Sequence, residues 1–375
     1  MIYLDYSATT KPNEEVLSSF YKASVDYFAN PNSLHKLGTE ANKLIKASSE
    51  QIANLLGVNP SEVIYTSGSS ESNNTAIKGI AYKYKNRGKH IVTTRFEHSS
   101  IYGPLTFLMN YEDFEVDYVD TDENGLVSIE SLKKVLRDDT ILVTMGSVNS
   151  EIGIRQPIEE IGKYLKENTK CFFHVDMTQS IGKDKVDFQY VDLASFSAHK
   201  IYGIKGIGCL IKKDNVALEP LINGGKSTTI YRSGTPQLSL IVSLAKALRL
   251  VLDNLDEKNK KVKKLNELLK EEVAKINGVS INSNSYCIPH ILNMSVPTIK
   301  PETIQHALEE YDIYISTQTA CSKSGEISQA VYALTKDETK ASSSIRVSIS
   351  YYTTEEEIKE FIKYFKIIID RLKKD

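Results

Sequence analysis

Ser195-Phe196-Ser197-Ala198-His199-Lys200 closes a strand-like stretch that starts at Leu193, and it lies downstream of Asp176 in His174-Val175-Asp176-Met177-Thr178-Gln179. Asp176 follows the apolar run Cys171-Phe172-Phe173, which reads as a buried strand. Both charged groups are therefore expected at the carboxyl ends of strands, where open α/β sheets bind their ligands. A lysine amine can hold a carbonyl cofactor as a Schiff base, and an acid facing the ring nitrogen keeps a pyridine protonated as an electron sink. Together the two segments point to a pyridoxal-phosphate site. Taken alone each has a plainer reading, because a strand-end Asp is commonly a turn or helix cap.

Further along, other strand ends carry the groups that a phosphorylated pyridine ring needs. Thr66-Ser67-Gly68-Ser69-Ser70-Glu71-Ser72-Asn73-Asn74 follows the apolar run Val63-Ile64-Tyr65 and opens a helical pattern. Free backbone amides and the positive end of a helix dipole favour an anion there, and the serine hydroxyls add donors. Gly68 permits close backbone approach, while a simple Ser/Thr-rich cap is the alternative. His98, in Glu97-His98-Ser99-Ser100, follows the run Ile91-Val92-Thr93-Thr94. It is placed to stack on a ring; the plainer reading is a half-exposed His at a helix start.

The series extends over nearly the whole chain. Tyr3-Leu4-Asp5-Tyr6-Ser7-Ala8-Thr9-Thr10 and Asn30-Pro31-Asn32-Ser33 precede these segments; Val148-Asn149-Ser150-Glu151-Ile152-Gly153, Arg232-Ser233-Gly234-Thr235, Ala320-Cys321 and Ser343-Ser344-Ile345-Arg346 complete the order. This ordered set resembles the cysteine desulfurases of the class V aminotransferase family, which are fold type I pyridoxal-phosphate enzymes. The resemblance implies an α/β fold with a large domain of mainly parallel sheet covered by helices and a smaller α+β domain. It makes Lys200 the Schiff-base lysine, Asp176 the partner of the pyridine nitrogen and His98 the stacking ring. It assigns Asn149 and Gln179 to the ring hydroxyl, and Ser69, Ser70, Ser197 and His199 to the phosphate. Thr235 matches a threonine that members donate to the neighbouring subunit's phosphate, so a homodimer is implied. Arg346 would hold the carboxylate of the substrate, L-cysteine, in a bidentate pair.

Cys321 separates the chemistries such a scaffold hosts. The chain has four cysteines, Cys171, Cys209, Cys287 and Cys321, with no C-x-x-C pair and so no zinc or redox-pair signature. Cys171 and Cys209 sit in apolar strand-like runs, where a thiol behaves as a small hydrophobe, and Cys287 precedes Ile288-Pro289 without polar company. Cys321 instead lies in the polar stretch Ser316 to Gly325, with Lys323 nearby to favour a thiolate. By resemblance it attacks the substrate sulfur, leaving L-alanine and a persulfide that passes to an acceptor. An aminotransferase or β-lyase with an incidental Cys321 is the alternative, and a non-catalytic interaction protein a second. Gln318-Thr319-Ala320 stands where many members carry Gly-Ser-Ala, and the segment to Val331 is about one residue shorter. The Ala-Cys context departs from the Arg-x-Gly-x-His-Cys pattern of the group that includes selenocysteine lyases. The chain ends at Arg371-Leu372-Lys373-Lys374-Asp375. Many members continue into a further tail that engages an iron–sulfur scaffold, so by resemblance a dedicated acceptor such as a tRNA-thiolation sulfurtransferase becomes credible beside such a scaffold.

Composition agrees with a globular enzyme: 375 residues exceed one usual core, with 41% hydrophobic and 25% charged residues. A net charge of −2 gives no general drive toward nucleic acid or membrane. The start Met1-Ile2-Tyr3-Leu4-Asp5 lacks a basic, apolar leader, so a cytoplasmic setting is expected, and no metal site is expected. Helical patterns alternate with short apolar runs from about residue 60 to 212, predicting a largely parallel sheet. Ser239 to Ile276 reads as one long or broken helical stretch crossing between domains, its Lys258 to Lys264 run a solvated face. Residues 14–255 are expected to form the cofactor domain, and residues 1–13 with 256–375 the smaller one, which carries the Cys321 loop and Arg346.

Overall fold

The computed structural model describes residues 1–317 and 327–373. The strands are β1 (Ile2–Tyr3), β2 (Val63–Thr66), β3 (His90–Thr93), β4 (Glu115–Tyr118), β5 (Thr140–Gly146), β6 (Phe172–Asp176), β7 (Leu193–Ser197), β8 (Gly208–Lys212), β9 (Ser280–Ile281), β10 (Ile291–Ser295), β11 (Ile313–Tyr314) and β12 (Ser344–Ser348). β2 to β8 form one sheet in the order β2-β8-β7-β6-β5-β3-β4. β8 runs antiparallel to β2 and β7, and all other neighbours are parallel. Every strand of this sheet except β8 therefore points its carboxyl end to the same side.

Both faces of the sheet are covered, so its inner strands read as continuous apolar runs rather than alternating ones. β7 is buried at every position. Alternate residues go to opposite faces: Val63 and Tyr65 pack with the helices Lys36–Leu56 and Leu238–Leu252, whereas Ile64 packs with the helices Ser69–Tyr84 and Ser99–Tyr111. Phe173 and Phe196 are 1% and 0% exposed, and burial of each side chain contributes about 1.5–3 kcal/mol. That burial pins the strands just before Asp176 and Ser197.

A second apolar cluster joins the helices Leu255–Ala274, Pro301–Glu309 and Glu355–Leu372 to the antiparallel sheet β12-β10-β9. The 239–276 stretch is two helices. Asn254, with φ at 51°, separates Leu238–Leu252 from Leu255–Ala274, and the side chains change cluster across this break. Thr354 and Glu357 form a reciprocal capping box on the final helix, which fixes its start where a Thr-x-x-Glu pattern places it. Ile2 and Leu4 belong to the second cluster, and β1 pairs in parallel with β11. From there the chain runs beside β12, with Ser348 N–H donating to the Leu4 carbonyl at 2.7 Å, and it delivers Asp5, Ser7 and Ala8 to the gap between the clusters. Among the described residues no helix is long and apolar enough to cross a membrane.

Candidate active site

Strand ends build the floor of the site. Asp176 closes β6, 9% exposed; its Oδ1 accepts from the Thr178 amide at 2.9 Å and its Oδ2 from Asn73 Nδ2 at 2.8 Å. Asn73 Nδ2 also donates to Ser100 Oγ at 2.8 Å, and that hydroxyl lies 2.8 Å from His98 Nδ1. His98 caps the helix Ser99–Tyr111, its Nδ1 accepting from the Ser100 amide at 3.1 Å. A neutral His98 ring therefore carries its proton on Nε2. Burial pushes the His98 pKa down, with Lys200 acting in the same direction and Asp176 opposing. The neutral form of the ring is accordingly favoured.

Lys200 ends a tight turn, Ala198–Lys200, that leaves β7. Its Nζ donates to the carbonyl oxygens of Ser7 at 2.5 Å and Ala8 at 2.8 Å. Two residues past this turn the backbone takes a costly conformation. Tyr202 has φ at 61°, compensated by Thr10 Oγ1 accepting from its amide at 2.8 Å and by a 2.5 Å bond between its hydroxyl and Ser350 Oγ.

Ser69 and Ser70 open the helix Ser69–Tyr84 beside the end of β2. The Ser69 amide donates to Ser197 Oγ at 2.6 Å, and Ser197 Oγ donates to Ser69 Oγ at 3.0 Å. Gly208 permits this approach, since a Cβ there would stand 2.6 Å from the Gly68 Cα. His199 Nδ1 lies 3.1 Å from Thr9 Oγ1. Burial, then Lys200, Lys205 and Lys183, pushes the His199 pKa down to about 4. These hydroxyls, amides and the helix dipole make a cradle for an anion.

Arg346, on β12, closes the other wall. It is 1% exposed, with Nη2 donating to Asp5 Oδ1 at 2.8 Å and Nη1 to the Ser150 carbonyl at 2.9 Å. Its Nε is buried without a hydrogen-bond partner. Gln179 Nε2 donates to the Ser7 carbonyl at 3.0 Å. Glu97 accepts from Thr94 Oγ1 at 2.5 Å and the Gly146 amide at 2.7 Å, and burial pushes its pKa up to about 8. Ser69, Ser70, His98, Asp176, Gln179, His199, Lys200 and Arg346 thus line one cavity of about 270 Å³.

Of the other expected site residues, Ser197 reaches the cavity through Ser69. Asn149 lies between two lining residues, Val148 and Ser150, but its own amide is engaged elsewhere: Nδ2 donates to the Phe96 carbonyl at 2.9 Å, and Oδ1 accepts from the Glu151 and Ile152 amides. Thr235 is exposed and lies outside the cavity lining. Cys321 and Lys323 fall outside the described residues. The other thiols are raised by burial, Cys171 and Cys287 to about 11 and Cys209 further still. Among the described residues no group of three or more His, Cys, Asp or Glu side chains is placed to hold a metal ion.

Sequence reasoning assigned no role to Asn73, Asp5 or Lys183, nor to the Ser7 and Ala8 carbonyls. Asn73 had a readable signal, because it stands one helical turn after Ser69 and so on the same helix face. Backbone carbonyls leave no mark in side-chain patterns.

The profile of the aminotransferase class-V family matches residues 2–361. The chain belongs to the aminotransferase class-V family. It is 42% identical over 380 aligned positions to the NifS/IcsS protein homolog of Lactobacillus delbrueckii subsp. bulgaricus, which covers 100% of this chain and 98% of that one. It is 40% identical over 383 positions to cysteine desulfurase IscS of Glaesserella parasuis, covering 99% and 93%. Among solved structures, a NifS-like protein superposes with a TM-score of 0.93 at 34% identity and 99% coverage of both chains. SspA in complex with cysteine superposes with a TM-score of 0.83 at 33% identity, covering 94% of this chain and 100% of that one.

The residues of this class-V chain fit pyridoxal phosphate on their own chemistry. An oriented carboxylate forms the floor, a lysine amine stands in the same cavity, and a helix N-terminus with serine hydroxyls lies at its edge. Thr178 Oγ1, buried at the cavity wall without a hydrogen-bond partner, is a further polar atom that a bound ring would satisfy.

Proposed function

We propose that this chain is a pyridoxal-phosphate-dependent cysteine desulfurase, converting L-cysteine to L-alanine and holding the released sulfur as a persulfide on Cys321. One observation carries the reading: Asp176, Lys200, His98, the Ser69–Ser70 cradle and Arg346 converge on one cavity in a chain 40% identical along its length to a cysteine desulfurase. When bound, the cofactor supplies an electron sink that makes the α-proton of an amino acid labile. Lys200 would be the attachment point, Asp176 would serve the ring nitrogen, Ser69, Ser70, Ser197 and His199 would hold the phosphate, and His98 would stack on the ring. Gln179 would serve the ring hydroxyl.

Arg346 takes the substrate carboxylate and so fixes which way the sulfur points. Lys200 Nζ, once released, takes the α-proton, and the Ser7 and Ala8 carbonyls offer the resulting ammonium two acceptors. The Cys321 thiolate attacks the sulfur of L-cysteine; the carbon–sulfur bond breaks, the carbon is protonated to give L-alanine, and the sulfur stays on Cys321 as a persulfide. Burial raises Cys171, Cys209 and Cys287, which keeps them from competing as thiolates. The persulfide then passes to an acceptor protein of iron–sulfur assembly or tRNA thiolation. The working unit is a homodimer in which Thr235 of each subunit serves the other's phosphate, and free cysteines fit a cytoplasmic setting.

The test is incubation of the purified holoenzyme with L-cysteine, followed by amino-acid analysis and mass spectrometry of the Cys321 peptide. Alanine with a persulfide on Cys321 is the expected result, and Cys321→Ser should retain cofactor while losing both products. A keto acid or free sulfide with an unmodified Cys321 would replace this reading with the aminotransferase or β-lyase one.

A further inference from the structure

Gln179 and Lys183 are one turn apart in the segment after β6, and the Lys183 amine folds back to donate to Gln179 Oε1 at 2.6 Å. Gly182 makes that return possible. Its φ of 72° lies in the left-handed region, and a Cβ there would come within 2.5 Å of Val251 Cγ2 on the helix Leu238–Leu252. Lys183 is 9% exposed and lies near two other positive charges, Lys200 from the turn after β7 and Arg346 from β12. Burying an ammonium group beside other positive charges opposes folding, so its retention here calls for a compensating role.

An ammonium group only donates, so a carbonyl oxygen must face it. The Gln179 amide is thereby fixed with Oε1 toward Lys183 and Nε2 toward Ser7, whose carbonyl it meets at 3.0 Å. The same carbonyl accepts Lys200 Nζ at 2.5 Å. Gln179 lines the cavity with Ser7 and Lys200. The acceptor-only Ser7 carbonyl and the donor-only Lys183 ammonium thus specify opposite ends of the same amide, two ends of nearly the same shape.

We propose that Lys183 is a positioning residue of this site: it holds the Gln179 amide with the NH₂ group turned toward Ser7 and the bound cofactor, and it ties that amide to Lys200 through the shared Ser7 carbonyl. The inference rests on the pyridoxal-phosphate reading above. Burial, with Lys200 and Arg346 acting in the same direction, pushes the Lys183 amine down to about 7. The test therefore belongs below that pH, where the ammonium form prevails.

The experiment is a double-mutant cycle on the holoenzyme at about pH 6, where the ammonium form is donor only, using Lys183→Met, Gln179→Ala and the pair. Equilibrium dialysis gives the dissociation constant for pyridoxal phosphate, and denaturant unfolding is followed alongside. Each single variant should weaken retention about tenfold, the order of one lost charge-assisted hydrogen bond. The double variant should be no weaker than Gln179→Ala alone, since Lys183 acts through Gln179. Gln179→Glu, which keeps an acceptor for Lys183 but cannot donate, should lose retention as Gln179→Ala does; it decides the matter should Lys183→Met not fold. Additive losses in the cycle, parent-level retention by Lys183→Met, or parent-level retention by Gln179→Glu overturns the inference. A parent enzyme that holds no cofactor on Lys200 is a distinct outcome: it removes the pyridoxal-phosphate reading and the inference with it.

Discussion

Arg346 is almost wholly buried, and Asp5 and the Ser150 carbonyl each accept one arm of its guanidinium, leaving Nε without a partner. A fork held on two sides is already oriented for a third acceptor, which is the geometry that carboxylate recognition needs. Asp5 is therefore expected to matter for substrate binding although the chemistry does not require it. Asp5→Ala should raise the KM for L-cysteine about tenfold with a smaller change in kcat, as for the loss of a charge-assisted hydrogen bond. Asp5→Asn, whose amide oxygen still accepts, should recover most of the loss. Steady-state kinetics of the two variants checks this, and equal KM values in Asp5→Ala and the parent would show that the fork is held without Asp5. No spacing rule could have joined these two residues, which lie near opposite ends of the chain. Asp176 and Lys200 were legible because each closes an apolar strand. Lys183 was not, because Gly182-Lys183-Asp184-Lys185 reads as a solvated charge run and only the packing of Gly182 against Val251 turns the lysine inward.

At the scale of elements, the phosphate cradle depends on how closely β2 and β8 approach. Gly208 stands opposite Thr66 on one side and Ser197 on the other, and a Cβ on it would meet backbone: the Gly68 Cα at 2.6 Å and the Phe196 oxygen at 2.9 Å. Backbone cannot rotate aside. A methyl at this position must separate the turn at Gly68 from Ser197, lengthening the 2.6 Å bond from the Ser69 amide. Gly208→Ala is expected to lose about 1–3 kcal/mol of stability by overpacking, and to bind pyridoxal phosphate more weakly by a larger factor than it loses for pyridoxal, which lacks the phosphate. Paired binding titrations separate the two effects; Gly103→Ala, with open space around its Cβ, is the control. Equal losses for the two ligands would show that the cradle tolerates the shift. The strand–turn–helix at Thr66 to Asn74 was readable from the apolar run and its serines. The antiparallel direction of β8 was not, because a strand buried on both faces carries the same apolar signature whichever way it runs.

For the whole molecule, the open question is where the exposed Thr235 acts. Its segment is tied to the cradle from outside: Arg232 Nε donates to Glu71 Oε1 at 3.0 Å, and Glu71 Oε2 accepts the Ser67 amide at 2.7 Å. Burial works against the Glu71 charge, but the bonds from Arg232 and Ser67 outweigh it and hold its carboxyl below the usual range. The segment is thus anchored beside its own phosphate cradle while Thr235 is exposed and outside its own cavity lining, an arrangement suited to serving a neighbour's site. If the proposed homodimer shares phosphates in this way, Thr235→Ala should loosen cofactor retention in a dimer built of that variant alone. Lys200→Ala dimers should hold none on lysine. In a dimer of one Thr235→Ala and one Lys200→Ala subunit, one site combines an intact Lys200 with the partner's intact Thr235. That site should retain cofactor as tightly as the parent, to about one equivalent per dimer, because closed two-fold pairing exchanges the same patch in both directions. Co-expression with different affinity tags isolates the mixed dimer, and cofactor content after dialysis reads the result. A mixed dimer that leaks cofactor as readily as Thr235→Ala alone would place the threonine's effect within its own subunit, and the cross-subunit contact would be rejected.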